Sequence, residues 1–92
     1  MTYEIDLTKL AQKQIDEFRK AGDKASLSKI DSLLNELREH PYTGTGKPEP
    51  LVCNYVGFWS RRINQKDRLV YKVIEDIITV SVVQAKGHYS DK

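Results

Sequence analysis

The run Phe58-Trp59-Ser60-Arg61-Arg62-Ile63 interleaves aromatic and basic side chains, a combination suited to stacking bases and to gripping phosphate with planar guanidinium forks. Side chains on a strand alternate between faces, so Trp59, Arg61 and Ile63 point one way and Phe58, Ser60 and Arg62 the other. One arginine of the pair must then face outward or into a cleft. The following strand-like run places Arg68, Val70, Lys72 and Ile74 on one face and Leu69, Tyr71 and Val73 on the other. Trp59 is expected to anchor a core rather than stack a base, because a small sheet-on-helix protein needs its bulky aromatics inside. Lys47, Arg61, Arg62, Lys66, Arg68 and Lys72 are opposed within their stretch only by Glu49 and Asp67, which makes a local anion-binding surface. The competing reading is that alternate strand positions simply carry solvated charge.

Other residues with chemical potential carry less when taken singly. Gly44-Thr45-Gly46-Lys47 is no phosphate-cradling P-loop: Pro41 stands at its first glycine, Pro48 replaces the magnesium-holding Ser/Thr, and a helix rather than a strand precedes it. The single Cys53 excludes an intrachain disulfide and a multi-cysteine metal site, and reads as a small core residue. His40 at a helix exit, His88 near the chain end and Glu49 between two prolines are by default surface groups.

The elements that must hold these residues are legible in the hydrophobic pattern. Residues 3–6 alternate and predict a short edge strand. Leu7, Leu10, Ala11, Ile15 and Phe18 then form one helical stripe, with Asp6 or Thr8 as cap and Ala21-Gly22 as stop. A second helix starts near Asp23, carries Leu27, Ile30, Leu33, Leu34 and Leu37 on one side, and ends before Pro41. Residues 41–50 hold three prolines and two glycines and predict a loop. Strands are predicted at 51–55, 58–64, 68–74 and 77–85, joined by connections too short for anything but antiparallel neighbours. The expected fold is α+β: an N-terminal edge strand and a two-helix hairpin packed on one face of a curved antiparallel sheet, with the opposite face open.

Length and composition bound the rest. Ninety-two residues predict a single domain, 1–92, and 39% hydrophobic with 30% charged residues describes an ordinary soluble chain. No apolar run approaches the roughly 20 residues of a membrane span, and the first six residues are neither a basic leader nor an apolar signal core. The expected location is the cytoplasm, without membrane contact. The formal charge of +2 is unevenly spread: residues 1–43 carry 7 Lys+Arg against 8 Asp+Glu, and residues 44–92 carry 8 against 5.

The motifs Gly44-Thr45-Gly46-Lys47-Pro48-Glu49-Pro50-Leu51, Gly57-Phe58-Trp59-Ser60-Arg61-Arg62-Ile63, Arg68-Leu69-Val70-Tyr71 and the late His88-Tyr89 resemble, in order and spacing, the Txe/YoeB toxins of the RelE superfamily. The resemblance is strong over residues 41–74 and the tail pair, and holds in pattern over the helices. It implies a RelE/YoeB-like domain and a ribosome-dependent messenger-RNA endonuclease that needs no cofactor or metal. It implies a cognate YefM-like antitoxin, mRNA on the ribosomal decoding site as substrate, and operator DNA contacted only through the antitoxin; a homodimer is left open. The family's general base falls on Glu49, its transition-state arginine on Arg68, its general acid on His88 and the adjacent aromatic on Tyr89. Arg62 matches a further basic position and, with Lys47 and Arg61, makes up the expected RNA- and phosphate-binding set. Two departures stand out: Ser90-Asp91-Lys92 follow the His-Tyr pair, and Val52 occupies a position where the family can carry lysine.

The chemistry is complete on its own terms. Cutting RNA through its 2′-hydroxyl needs a base for that proton, a cation for the phosphoryl oxygens and an acid for the leaving oxygen. A carboxylate on a proline-stiffened loop, an always-charged arginine and a histidine that titrates near neutrality supply these three. Two readings from other classes compete: a gyrase-poisoning toxin of the ParE type, which the Glu49, Arg68 and His88 combination disfavours, and a basic-sheet RNA-binding module that does not cleave.

Overall fold

Thr8 and Asp23 decide where the helices start. Each side chain accepts a hydrogen bond from the backbone N–H three residues on, Ala11 and Ser26 respectively, both at 3.1 Å, and so satisfies a donor that the first helical turn leaves free. The computed structural model describes residues 2–52, 56–77 and 79–85. Within them β1 (Glu4–Leu7) leads into α1 (Lys9–Lys20) and α2 (Lys24–Leu37). β2 (Glu49–Pro50), β3 (Phe58–Arg62), β4 (Arg68–Ile74) and β5 (Thr79–Gln84) follow, with a 3₁₀ turn at Glu75–Ile77 before β5. No helix among the described residues is long and apolar enough to cross a membrane.

The strands form one five-stranded sheet in the order β1-β5-β4-β3-β2. β2 to β5 are antiparallel to their neighbours, as the short connections require, but β1 pairs with β5 in parallel, from Glu4 opposite Thr79 to Leu7 opposite Val82. The sheet is therefore mixed rather than wholly antiparallel. The short-connection argument binds only consecutive strands, and β1 and β5 are separated by both helices and three strands, ample for a parallel pairing. Of the expected strand at 51–55, residues 53–55 lie outside the described residues; pairing is seen at Glu49 and Pro50, inside the expected loop, and Leu51 continues it by donating to Phe58 O at 2.9 Å. Prolines are admissible there because β2 is an edge strand and Pro50 owes no ladder hydrogen bond on its open side. Cys53 lies outside the described residues.

Both helices pack against one face of the sheet. Ala11 and Phe18 of α1 and Ile30, Leu33 and Leu37 of α2 meet Leu69, Tyr71, Val80 and Val82, all buried. Leu10, expected on the α1 stripe, is instead half exposed; it sits in the first turn at the margin of the stripe, away from Ala11 and Phe18. Trp59 packs against this core as expected, its ring 5.2 Å from that of Tyr42.

Candidate active site

Register fixes which side chains share the face away from the helices. Residues directly opposite in a sheet point the same way, so Glu49, Ser60 and Val70 form one row across β2, β3 and β4. Arg62 and Arg68 form the next row, and Phe58 and Lys72 flank the first on its other side. Ser60 and Val70 are fully buried and make a floor. Around it stand Glu49, Arg62, Arg68 and Lys72, the last with its Nζ 5.5 Å from the Phe58 ring centroid. Arg68 Nη1 donates to Glu49 Oε1 at 3.3 Å. The Glu49 side chain keeps 51% of its exposure and that of Arg68 21%, so this is a wet ion pair of small net strength that an incoming anion can open. The Ser60 hydroxyl has no hydrogen-bond partner among the described residues.

The loop that delivers Glu49 is held from below by Arg61. Its guanidinium donates through Nε to Tyr71 OH (3.2 Å), through Nη1 to Glu36 Oε1 (3.0 Å) and Thr45 O (3.2 Å), and through Nη2 to His40 O (2.5 Å) and Thr43 O (2.7 Å). All five donors of the group are thereby used. The Tyr71 hydroxyl in turn donates to Pro41 O at 2.7 Å. Glu36 also accepts from the Thr45 backbone N–H at 2.8 Å. Hydrogen bonding from Thr45, with Arg61 adding to it, holds the Glu36 carboxyl below its ordinary pKa. Gly44, with φ 121°, passes so close to Glu36 that a Cβ there would collide with the carboxylate. Farther along, Arg62 N donates to Gly46 O at 2.7 Å. This clamps the turn to β3 just before Pro48 and Glu49.

The expected site residues therefore separate. Glu49 and Arg68 are in contact, with Arg62 beside Arg68. Lys47 lies by the end of β3, near Arg62. Arg61, expected to bind phosphate, is corrected: it is fully buried on the helix side with its donors consumed, and its task is to hold the loop. His88 and Tyr89 lie outside the described residues. Reading the sequence missed Glu36, Tyr71 and Ser60 as parts of this arrangement. The one available signal was Glu36, a carboxylate between Leu33 and Leu37 at the edge of the apolar stripe of α2.

A carboxylate and an arginine on an open basic face can shift a proton and bind a phosphoryl group. Comparison with known proteins gives that face a family. The description "YoeB-like toxin of bacterial type II toxin-antitoxin system" matches residues 11–89. The chain belongs to the YoeB toxin family. It is 45% identical to toxin YoeB of Escherichia coli (strain K12) over 67 residues, 73% of this chain and 77% of that one. Among solved structures it resembles the YoeB/ParE toxin from Agrobacterium tumefaciens, with a TM-score of 0.87 and 31% identity over 94% of this chain and 99% of the other. It also resembles YoeB of Staphylococcus aureus, both as a dimer (TM-score 0.82, 34% identity, 97% and 100% coverage) and in a heterotetrameric YoeB-YefM toxin-antitoxin complex (0.79, 34%, same coverage). The span matched by the YoeB family description includes Glu49, Arg62, Arg68, His88 and Tyr89.

Proposed function

We propose that this YoeB-family toxin is a messenger-RNA endonuclease that acts on ribosome-bound message in the cytoplasm and is held in check by a YefM-like antitoxin. The observation that carries the reading is the contact between Glu49 and Arg68 on an open, basic sheet face, with Arg62 next in line. In this scheme the scissile phosphate takes over the Arg68 guanidinium and so releases Glu49. Glu49 then removes the 2′-hydroxyl proton, and the 2′-oxygen attacks phosphorus. Arg68 stabilises the charge that gathers on the phosphoryl oxygens. The bond to the 5′-oxygen breaks as His88 protonates that oxygen, with Tyr89 assigned to the same site as the adjacent aromatic. A 2′,3′-cyclic phosphate and a 5′-hydroxyl result, and these side chains move every proton without a cofactor or metal. The antitoxin is assigned because the S. aureus relative forms a complex with YefM; contact with operator DNA then goes through the antitoxin, and self-association follows the S. aureus dimer.

Single-turnover cleavage of a ribosome-bound message, with both new ends identified, tests the scheme. Glu49→Ala and His88→Ala should each lose about 10²–10⁴-fold in rate, the usual cost of a positioned acid or base. Arg68→Ala should lose rate through charge stabilisation alone. A 3′-hydroxyl product would reject the use of the 2′-hydroxyl, and full activity in His88→Ala would reject the acid. A chain that arrests growth while leaving messages intact would favour the gyrase-poisoning or RNA-binding readings.

A further inference from the structure

A second basic feature lies around the end of β3 from the Glu49–Arg68 pair. Lys29, Gly46, Lys47, Arg62, Ile63 and Asn64 line a cleft of about 250 Å³. Its three cations come from different places: Lys29 from α2, Lys47 from the loop, Arg62 from β3. No carboxylate lines the cleft, and none of the three is ion-paired with a described residue, whereas Arg19, Arg61 and Arg68 each have an acidic partner. Three cationic residues without a described acidic partner therefore line one hollow, where an anion would relieve the repulsion among like charges.

Lys47 has φ 52°, the left-handed region that a residue with a side chain seldom occupies, and strain of that kind concentrates at ligand sites. The turn is pinned by the Arg62 N to Gly46 O hydrogen bond, and it sits so tightly that a Cβ on Gly46 would lie 3.1 Å from both Arg62 O and Leu33 Cδ2. Asn64 is locked as well: its amide nitrogen donates to Ser26 Oγ and Asp67 Oδ2, both at 2.9 Å, and its oxygen accepts from the backbone of Lys66 and Asp67. The cleft is smaller than the roughly 300–1,000 Å³ typical of small-molecule pockets, which suits a single phosphate rather than a whole nucleotide.

We propose that this cleft is a phosphate-binding subsite for an RNA backbone, with Lys29 as its previously unassigned cation. Resting on the endonuclease reading above, it extends the positive track from Arg68 through Arg62 to Lys47 and Lys29, over the end of β3 and onto α2. The phosphodiester it takes belongs either to the message beside the cut or to ribosomal RNA, and two measurements separate these sources. The first is binding of a short, fully 2′-O-methylated single-stranded RNA, followed by fluorescence anisotropy across a salt series; the second is co-sedimentation with empty ribosomes. Lys29→Gln should weaken binding several-fold and lower the slope of log Kd against log salt by about 0.7–1, the signature of one lost phosphate contact. Lys29→Arg should restore both, and Lys24→Gln, an exposed lysine of the same helix outside the cleft, should change neither. Thermal melts establish that each variant is folded. A loss in the oligonucleotide arm assigns the message, and a loss confined to the ribosome arm assigns ribosomal RNA. Wild-type binding with Lys29→Gln unchanged in both arms overturns the cleft and leaves the endonuclease reading standing, whereas a wild-type chain that binds neither RNA nor ribosome overturns that reading itself.

Discussion

Arg61 and Arg62 are adjacent in sequence and do opposite work. Arg62 faces the open side and stays exposed, while Arg61 is enclosed by Glu36, Tyr71 and three loop carbonyls. Removing a buried cation strands the groups it served, which typically costs about 3–5 kcal/mol. Arg61→Met should therefore lower stability in urea melts by roughly 3 kcal/mol, the smaller end applying because Glu36 keeps 31% exposure and can rehydrate. Arg62→Gln should leave the melt nearly unchanged, as a substitution on the exposed surface does. Strand alternation already put Arg61 with Trp59 and Ile63 and Arg62 with Ser60. It could not say that Arg61 would be spent inside, because the carboxylate that makes its burial tolerable lies 25 residues earlier, on α2. Glu49 and Arg68 were legible through motif resemblance, but Ser60 was not, since a small hydroxyl on a strand has no pattern that marks it.

At the scale of elements, caps and apolar stripes located both helices, because these signals are local. Pairing at Glu49 and Pro50, inside the expected loop, and the β1–β5 pairing were not foreseen, since edge pairing and parallel register depend on partners distant in sequence. A third link between distant elements is a carboxylate shared by two phenols: Glu75, after β4, accepts from Tyr3 OH ahead of β1 (2.8 Å) and from Tyr42 OH of the loop (2.5 Å). The hydrogen bond that Tyr42 donates to Glu75 pushes its hydroxyl up to about 12, and accepting bonds from Tyr42 and Tyr3 holds the Glu75 carboxyl below its ordinary value. A raised phenol pKa means that the neutral form is favoured in the folded state. Its contribution is whole below the unfolded value of 10.0 and is lost as pH rises from there toward 12. The contribution of Glu75 is present above the unfolded value of 4.5 and is lost as pH falls through the lower folded one. Tyr42→Phe should thus flatten the decline of melting temperature between pH 10 and 12, which a pH series of thermal melts would detect. An unchanged alkaline slope would show that Tyr42 is not bound to Glu75 in solution.

For the molecule as a whole, the parallel pairing of β1 with β5 sets an order of events. β1 has β5 as its one neighbour in the sheet, and Val80, Val82 and Ala85 complete the core under both helices. During synthesis the helices emerge early, with Ile30, Leu33 and Leu37 bare until β4 and β5 follow. Contacts so far apart in the chain also make folding slow for its size. A chain stopped after Asp76 should consequently lack a cooperative thermal transition and bind a dye for exposed apolar surface; a sharp two-state melt would refute this. The floor and the Arg68 side of the proposed cleavage site belong to β3 and β4, the middle of a sheet that closes only when its last strand arrives. A half-made copy of the toxin therefore has no finished site, and under the proposed activity the ribosome producing it would be spared until β5 has been made.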